Sequence, residues 1–206
     1  MLTQFQSMSP GQILAMILAL LYTIVSHELG HALVAYWNGD ATAKEAGRLT
    51  INPLPHISWP GLLSLVLFRF GWAKPVPINP YRFRSRRLGL LTTSLAGIVV
   101  NLLSALLALF LWNQFFARHA ILGDLFLQIS IYGVSFGLFN LIPIPPLDGS
   151  KIVMSLLPDA LTTFVERYEQ VFHMLLLILV FSSLLSDILL PAMDSVFNWM
   201  IRIVVG

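Results

Sequence analysis

The sequence predicts an all-α membrane protein: a bundle of about five transmembrane helices with a short membrane-associated β/loop region after the first helix. Composition is the first observation, because 57% of the 206 residues are hydrophobic, only 11% are charged, and the mean hydropathy is +0.80. Soluble domains carry about 25% charged residues. The second observation is a series of long apolar runs separated by polar or proline-rich stretches. The length suits a single domain, residues 1–206, with core motifs in 20–155 and C-terminal helices in 156–206.

Charge and cysteine content narrow the classes of partner and site. The formal net charge is +2, and the longest basic run lies within residues 82–87, so the expected partner is a lipid bilayer and not a nucleic acid. The chain has no cysteine, which excludes disulfides and thiolate metal sites. Residues 1–12 contain no Lys or Arg. They lack the basic start of a secretory signal, so we expect the first span to be retained.

The first predicted span runs from about Gly11 to Trp37, long enough to cross a hydrocarbon core of about 30 Å at 1.5 Å per residue. The turn sequence Asn38-Gly39-Asp40 ends it. The residues that follow, up to residue 60, are polar and interrupted by prolines. Within them, residues 48–52 are predicted as a short strand.

Two short stretches precede the next long span. Residues 61–70 are apolar but cover only half of a helical crossing, which predicts a re-entrant or interfacial segment. Residues 74–80 are held extended by their prolines. Irregular backbone near a membrane must be shielded by protein or face water. Residues 74–80 are therefore a candidate lip for a site.

The second and third predicted spans are Leu88–Trp112 and Ile121–Ile142. The third runs into a proline-rich stretch that ends at Asp148-Gly149. Residues 150–167 are predicted to be interfacial, and a fourth span is predicted at about 168–185. The last apolar stretch, residues 188–205, is interrupted by Pro191 and Asp194, so both a fifth span and an interfacial position stay open.

Positive charges set the expected orientation. Six of them lie between residues 69 and 87, directly before the second span: Arg69, Lys74, Arg82, Arg84, Arg86 and Arg87. The positive-inside rule makes this segment cytoplasmic. The first span then enters from outside, and the third span returns to the inside. Asp148 and the C-terminal half of the first span are therefore expected on the same, cytoplasmic side.

A His-Glu-x-x-His sequence at residues 27–31 lies inside the first apolar run. On a helix, His27 and His31 lie one turn apart on one face, so both imidazoles can reach one metal ion. Glu28 follows the first histidine and is placed to act as a general base. Ionisable groups inside a membrane are costly, which makes them functional candidates. An amphipathic helix with two incidental histidines is the alternative.

A catalytic zinc site takes about three protein ligands and leaves one position open. Asp148 is the best third ligand, because it follows an unwound stretch at the depth expected for the His pair; the alternative is a helix cap before Gly149. Glu169 and His173 are four residues apart, and a pairing between them is favoured over a second metal site. The weaker third-ligand candidates are Asp40, Glu45, Asp124, Asp159, Glu166, Glu169, Asp187 and Asp194.

Taken together, these residues give the chain a family resemblance. The sequence resembles small prokaryotic members of the site-2 protease family of intramembrane zinc metalloproteases, peptidase family M50. Four stretches carry the resemblance, which covers about residues 20–155. They are His27-Glu28-x-x-His31, Asn140-Leu141-Ile142-Pro143-Ile144-Pro145-Pro146-Leu147-Asp148-Gly149, Asn52-Pro53-Leu54-Pro55-His56 and Gly71-Trp72-Ala73-Lys74-Pro75-Val76-Pro77.

The resemblance implies one catalytic zinc ion on His27, His31 and Asp148, with Glu28 as general base. It also implies that Asn140 lies near the metal and helps to bind substrate or the oxyanion. Residues 44–80 would form membrane-embedded β-structure and a loop that receive an unwound substrate.

The family resemblance leaves two positions without an assigned role. His56 stays open between a substrate-contacting group and an interfacial loop histidine. Gly97-Ile98 stands where such proteins often carry Gly-Pro, ahead of Asn101, so the resemblance gives Asn101 no role.

The resulting hypothesis is hydrolysis of a transmembrane substrate in the cell membrane, with the active site toward the cytoplasmic side. A metal-ion or proton transporter is the alternative from another class, because intramembrane His and Asp also mark ion pathways. Glu28 has an evident task only in hydrolysis, and the chain shows no inverted repeat. An inactive scaffold that binds membrane partners is the third hypothesis. The sequence specifies neither the substrate nor the oligomeric state.

Overall fold

The computed structural model describes residues 8–68 and 73–206, which form nine α-helices with irregular connections. In chain order they are α1 Pro10–Trp37, α2 Thr42–Glu45, α3 Trp59–Phe68, α4 Arg86–Leu111, α5 Ala120–Asn140, α6 Asp148–Leu156, α7 Asp159–Arg167, α8 Glu169–Phe181 and α9 Ser183–Val205. Helix α4 continues as a π-helical turn over Trp112–Phe116, and two short 3-10 turns cover Leu54–His56 and Pro80–Arg82.

Four of these helices, α1, α4 with its π-helical turn, α5 and α9, are long and apolar enough to cross a membrane. The α-helical parts of the first three, without the π-helical turn, start and end within two residues of the predicted spans. Local signals account for this agreement. Ser9 and Gln12 form a capping box with Pro10 at the first turn of α1, and Gly39, at φ +106°, follows its last turn.

Helices α1, α4 and α5 pack against one another through small residues. A Cβ atom on Gly133 of α5 would lie 2.7 Å from the carbonyl oxygen of Asn101 in α4. A Cβ atom on Gly30 of α1 would lie 3.2 Å from the carbonyl oxygen of Ala96. Small residues let membrane helices approach to this distance. The close approach brings polar groups of α4 onto the His-Glu-x-x-His turn.

The predicted strand at residues 48–52 is not formed, and none of the described residues is in a strand. Local hydrogen bonds explain the difference. The Thr50 hydroxyl accepts from the amide of Asn52, and the Asn52 side chain accepts from the amide of Leu54. Such side-chain contacts turn the backbone and compete with a ladder. Residues 73–79 are irregular as expected, whereas Gly71 and Trp72 lie outside the described residues.

The C-terminal part differs from the expected two spans. The predicted fourth span becomes α8, whose 13 residues reach only about two thirds of the distance across a hydrocarbon core. Ser182, with φ −90° and ψ 164°, ends α8 and starts α9. Helix α9 has 23 residues and runs through Pro191, so the stretch that the sequence left open has spanning length. Four helices therefore have spanning length where about five were expected.

Candidate metal centre

The side chains of His27, His31 and Asp148 meet at one point between α1 and the start of α6. The Nε2 atoms of the two histidines are 3.0 Å apart, and they lie 3.0 Å and 2.9 Å from Oδ2 of Asp148. All three residues are buried. They are the one group of metal-ligating residues found in the described ranges 8–68 and 73–206.

This arrangement fits a tetrahedral metal ion. Ligand atoms held 2.0–2.1 Å from zinc at tetrahedral angles are about 3.3 Å apart, close to the observed separations of 2.9–3.0 Å. Three atoms that each present a lone pair repel one another at this distance unless a cation or a proton lies between them. The donor set of two imidazoles and one carboxylate is also one that zinc accepts.

Helix α4 fixes the orientation of His31. The Nδ1–H of His31 donates to the backbone carbonyl oxygen of Thr93 at 2.7 Å. With the proton on Nδ1, the Nε2 atom presents a lone pair toward Asp148. A metal-binding histidine commonly makes such a contact, which selects its tautomer and its ring orientation.

Asn101 of α4 makes the equivalent contact to His27. The side-chain nitrogen Nδ2 of Asn101 is placed 3.1 Å from Nδ1 of His27, and Asn101 is fully buried. When Nε2 binds a metal, Nδ1 carries the proton, so the carboxamide must present its oxygen to His27. The two ends of a carboxamide are distinguished by their hydrogen bonds. Ser26, 3.5 Å away, is then an acceptor for the amide group.

Gly97 provides the space into which the two histidines fit. A Cβ atom at this position would lie 2.6 Å from Nε2 of His31 and 2.6 Å from Cε1 of His27. These are rigid rings, so no flexible group is available to move aside. Thr93, Gly97 and Asn101 are spaced four residues apart and form one face of α4. This face holds the outer edges of both imidazoles.

Asp148 reaches the histidines through a tight turn. It is the first residue of α6, and Gly149 allows the turn to fold back, since a Cβ atom there would overlap the carbonyl oxygen of Leu141. Lys151 donates from Nζ to Oδ1 of Asp148 at 3.2 Å. The ammonium group of Lys151 favours the carboxylate form of Asp148, which is the form that binds metals.

Glu28 faces the segment 73–79. Its Oε2 accepts a hydrogen bond from the backbone amide of Val76 at 2.8 Å, and Glu28 itself is half-buried. Val76 is buried against Ala32 and Ala43, which fixes the amide in place. This contact holds one carboxylate oxygen and leaves Oε1 as the acceptor for a proton.

The segment 73–79 is held at both ends by buried groups. The guanidinium of Arg48 donates to the carbonyl oxygen of Lys74 at 2.6 Å, and the amide of Lys74 donates to the carbonyl oxygen of His56 at 2.9 Å. At the other end, the amide of Asn79 donates to Oδ2 of Asp40 at 2.6 Å. Arg48 and Asp40 are both buried.

Replacing Asp40 with asparagine is expected to loosen the segment 73–79 at every pH. Burial raises the pKa of Asp40, but hydrogen bonds from Thr42 and Asn79 and the charge of Arg82 lower it below its ordinary value. A depressed pKa means that the carboxylate stabilises the fold above about pH 4, and that this contribution is lost as the pH falls further. Losing these bonds should cost about 1–3 kcal/mol locally.

Hydrogen exchange of residues 73–79 measures this effect. Relative to the intrinsic exchange rate at each pH, the wild type should be strongly protected at neutral pH and less protected only below about pH 4. D40N should be weakly protected throughout. The control is Glu45→Gln, which removes an exposed ion pair with Arg82 and should change little. Equal exchange in D40N and wild type would contradict the role of Asp40.

The side chains of His56 and Asn140 make their hydrogen bonds to neighbouring loop and helix groups. His56 is buried, with Nε2 3.1 Å from the carbonyl oxygen of Thr50 and Nδ1 3.5 Å from the Arg48 guanidinium. It links the loop before α3 to the segment 73–79. The Asn140 amide donates to the carbonyl oxygen of Phe136 at 2.9 Å, and the ring of Phe136 contacts His27 edge-on at 4.9 Å.

The sequence missed several residues of the site. Thr93, Gly97 and Asn101 carried a signal, because small and polar residues spaced by four on an apolar helix mark one packed face. Lys151 is three residues after Asp148, one turn along a helix. The Val76 amide is a backbone group and leaves no signal in the sequence. Within the described residues, none of the weaker acidic candidates joins the triad.

A cavity of about 170 Å³ opens beside the triad. His31, Asp148 and Lys151 form its polar side, and Val76, Ile78 and Leu90 form its apolar side. The cavity lies between the segment 73–79 and α4, so a peptide could reach the triad there.

Comparisons with known proteins identify the family of the chain. The profile of Peptidase family M50 matches residues 114–183, which extends past residue 155, where the motif resemblance ended. The protein named "Putative zinc metalloprotease YwhC" from Bacillus subtilis (strain 168) is 35% identical over 188 residues, 87% of this chain and 86% of that protein. "Putative zinc metalloprotease Rip2" from Mycolicibacterium smegmatis (strain ATCC 700084 / mc(2)155) is 33% identical over 147 residues, 68% of this chain and 56% of that protein.

No solved structure matches the chain significantly. The relative from Bacillus subtilis covers most of both chains at 35% identity, and four helices have the length and apolar character of membrane spans. The chain is a multi-pass membrane protein and belongs to peptidase family M50.

Proposed function

We propose that the protein is an intramembrane zinc metalloendopeptidase of the site-2 protease type, which acts in regulated intramembrane proteolysis. Its substrates are membrane proteins that are cut in or near a transmembrane helix. The single observation that carries the proposal is the convergence of His27, His31 and Asp148 beside Glu28, next to a cavity. The names of the two relatives support zinc as the metal.

His27, His31 and Asp148 would hold one zinc ion. When bound, zinc supplies Lewis acidity, which lowers the pKa of a water molecule toward about 7 and polarises the scissile carbonyl. Thr93 and Asn101 keep the two imidazoles in the tautomer that leaves Nε2 free. Lys151 holds Oδ1 of Asp148, so that Oδ2 is directed at the histidines.

Glu28 is the general base of the proposed reaction. Its Oε1 takes a proton from the attacking water and later delivers it to the leaving amine. The amide of Val76 keeps the carboxylate oriented during both transfers. Asn140 is proposed to help bind the substrate or the oxyanion, and His56 to support the loop that the substrate passes.

A transmembrane substrate must unwind before it is cut, because a helix buries its carbonyl groups in hydrogen bonds. We propose that the unwound peptide lies along the segment 73–79. The amides of Lys74, Val76 and Asn79 donate into the protein, and Pro75 and Pro77 have no amide hydrogen. The groups left for a peptide are therefore the amide of Ile78 and the carbonyl oxygens other than that of Lys74, which accepts from Arg48. This set departs from the regular strand edge that was expected.

The proposed location is the cell membrane, with the site toward the cytoplasm. The positive charges before α4 support this orientation. Helix α1 has 28 residues, and His27 lies about 5 Å past its midpoint, in the C-terminal half. We propose that water reaches the site from the cytoplasmic side.

Metal removal tests the proposal directly. Purified protein in proteoliposomes is expected to cut a transmembrane reporter, to lose activity after chelation, and to regain it with zinc. Asp148→Ala should lose the stoichiometric zinc of the wild type. Asp159→Ala is the matched control, because Asp159 is also the first residue of a helix but is exposed and paired with Arg87.

Three outcomes would overturn the proposal. Zinc retained at wild-type stoichiometry in Asp148→Ala would remove Asp148 from the site. Zinc uptake into the vesicles that depends on His27 and His31, without any cleavage, would favour a transporter. Stoichiometric zinc with neither cleavage nor uptake would favour an inactive scaffold.

A further inference from the structure

Helix α9 carries a polar stripe on its outer face. The stripe consists of side chains at helical spacing, all of them exposed: Asp187, Asp194, Ser195, Asn198 and Arg202. The opposite face of α9 is apolar. A spanning helix that directs polar groups away from its own bundle is unusual, because intramembrane charges almost always face protein or water.

The packing of α9 places this stripe at membrane depth. Met200 is buried against Ala105 and Leu109 of α4 and Val134 of α5, and Met193 and Phe197 pack on the same cluster. These partners lie inside the two spans. Asp194 is the central residue of the 23-residue helix, so its carboxyl group lies far from both ends.

Asp194, the charge at the centre of α9, has no partner among the described residues. Ser195 donates to the carbonyl oxygen of Pro191 at 2.8 Å and is satisfied within the helix. Asp194 and Asn198 make no side-chain hydrogen bond or ion pair with any described residue. An aspartate at the centre of a lipid-facing helix is costly to insert into a membrane. A polar group from another molecule would remove this cost.

Charge repulsion argues against a second copy of this chain as the partner of the polar stripe. Copies of one membrane protein share an orientation, so a two-fold axis along the membrane normal places equal residues side by side. Asp194 would then face Asp194, and Arg202 would face Arg202. Like charges repel most strongly where the dielectric constant is low. A helix that carries a positive charge at the depth of Asp194 is the complementary partner.

We propose that the outer face of α9 binds a transmembrane helix of another membrane protein, one with a Lys or Arg side chain near mid-membrane. The cation pairs with Asp194, and Asn198 adds a hydrogen bond one turn away. The triad residues belong to α1 and α6 and are contacted by α4, whereas α9 packs on α4 and α5. The partner is therefore held beside the enzyme and not in its site, and the inference does not depend on the proposed reaction.

Association with designed helices tests this interface in the full-length chain. The natural chain has no cysteine, so Gly206→Cys gives one labelling site for energy transfer in proteoliposomes. The probes are two leucine-rich spanning peptides, one with a central lysine and one with leucine in its place. The lysine peptide should bind on the order of tenfold more tightly, and Asp194→Leu should abolish the difference.

Controls separate the proposed contact from general charge effects. Asp187→Leu changes an aspartate near the start of α9 and should keep the preference for the lysine peptide. Asp194→Lys should reverse the preference toward a peptide with a central aspartate. Equal binding of both peptides to the wild type would overturn the proposal. Self-association of the wild type that is lost in Asp194→Leu would assign the face to a second copy instead.

Discussion

Replacing Glu28 with glutamine is expected to stop peptide hydrolysis while the zinc content stays at the wild-type level. The glutamine side chain would keep the shape of the glutamate and could still accept the hydrogen bond from the Val76 amide. It cannot take a proton from water. General acid–base catalysis contributes about 10²–10⁴-fold to a rate, so cleavage should fall by at least this factor. Cleavage of a reconstituted reporter and metal content are the two measurements.

Measuring cleavage and zinc content together distinguishes a role of Glu28 in the reaction from a role in metal binding. His27 and His31 do not change in E28Q, so a loss of zinc would mean that Glu28 serves the fold or the metal and not the reaction. Glu169→Gln is the matched control, because Glu169 is exposed at the start of α8. Unchanged cleavage by E28Q would rule out Glu28 as the general base.

Replacing Gly97 with alanine is expected to remove zinc and activity together. The added methyl group would lie 2.6 Å from His31 Nε2 and 2.6 Å from His27 Cε1, so at least one imidazole must leave its position. Overpacking costs about 1–3 kcal/mol. Alanine is the better helix former by about 1 kcal/mol, which offsets only part of this cost. Metal analysis and thermal unfolding measure the two effects.

A second glycine provides the control for this substitution. Gly137→Ala makes the same change in α5, where the new methyl group would lie 3.3 Å from the end of the flexible Leu102 side chain. It should retain zinc. Zinc bound at wild-type stoichiometry in G97A would show that the face of α4 does not confine the two histidines.

The spans of α1, α4 and α5 could be predicted from the sequence because their signals are local. Apolar length, a capping sequence and turn residues all act within one helix. Local signals could not show whether residues 48–52 form a strand. Thr50 and Asn52 bond to their own neighbours, and those bonds compete with pairing to a distant strand. The break at Ser182 shortened α8, although the surrounding residues are as apolar as a span.

The residues of the site also fall into two groups, those placed by local helix geometry and those brought together only by packing. His27 and His31 are four residues apart, so helix geometry alone puts them on one face. Asp148 is 121 residues from His27. Its place was inferred from orientation and family resemblance, and only packing brings its oxygen to 3.0 Å from the imidazole. Asn101 gains a role only from the packing of α4 against α1.

The sequence by itself therefore determined the membrane character, three of the spans and the placement of His27, Glu28 and His31 on one helical turn. These depend on composition and on spacing within one helix. Only the tertiary structure decided which groups surround the ligands: the carbonyl of Thr93, the space at Gly97, the amide of Val76 and the outward stripe of α9. Backbone groups, missing side-chain volume and the direction in which a helix face points are properties of packing, so they depend on contacts between residues that are distant in the sequence.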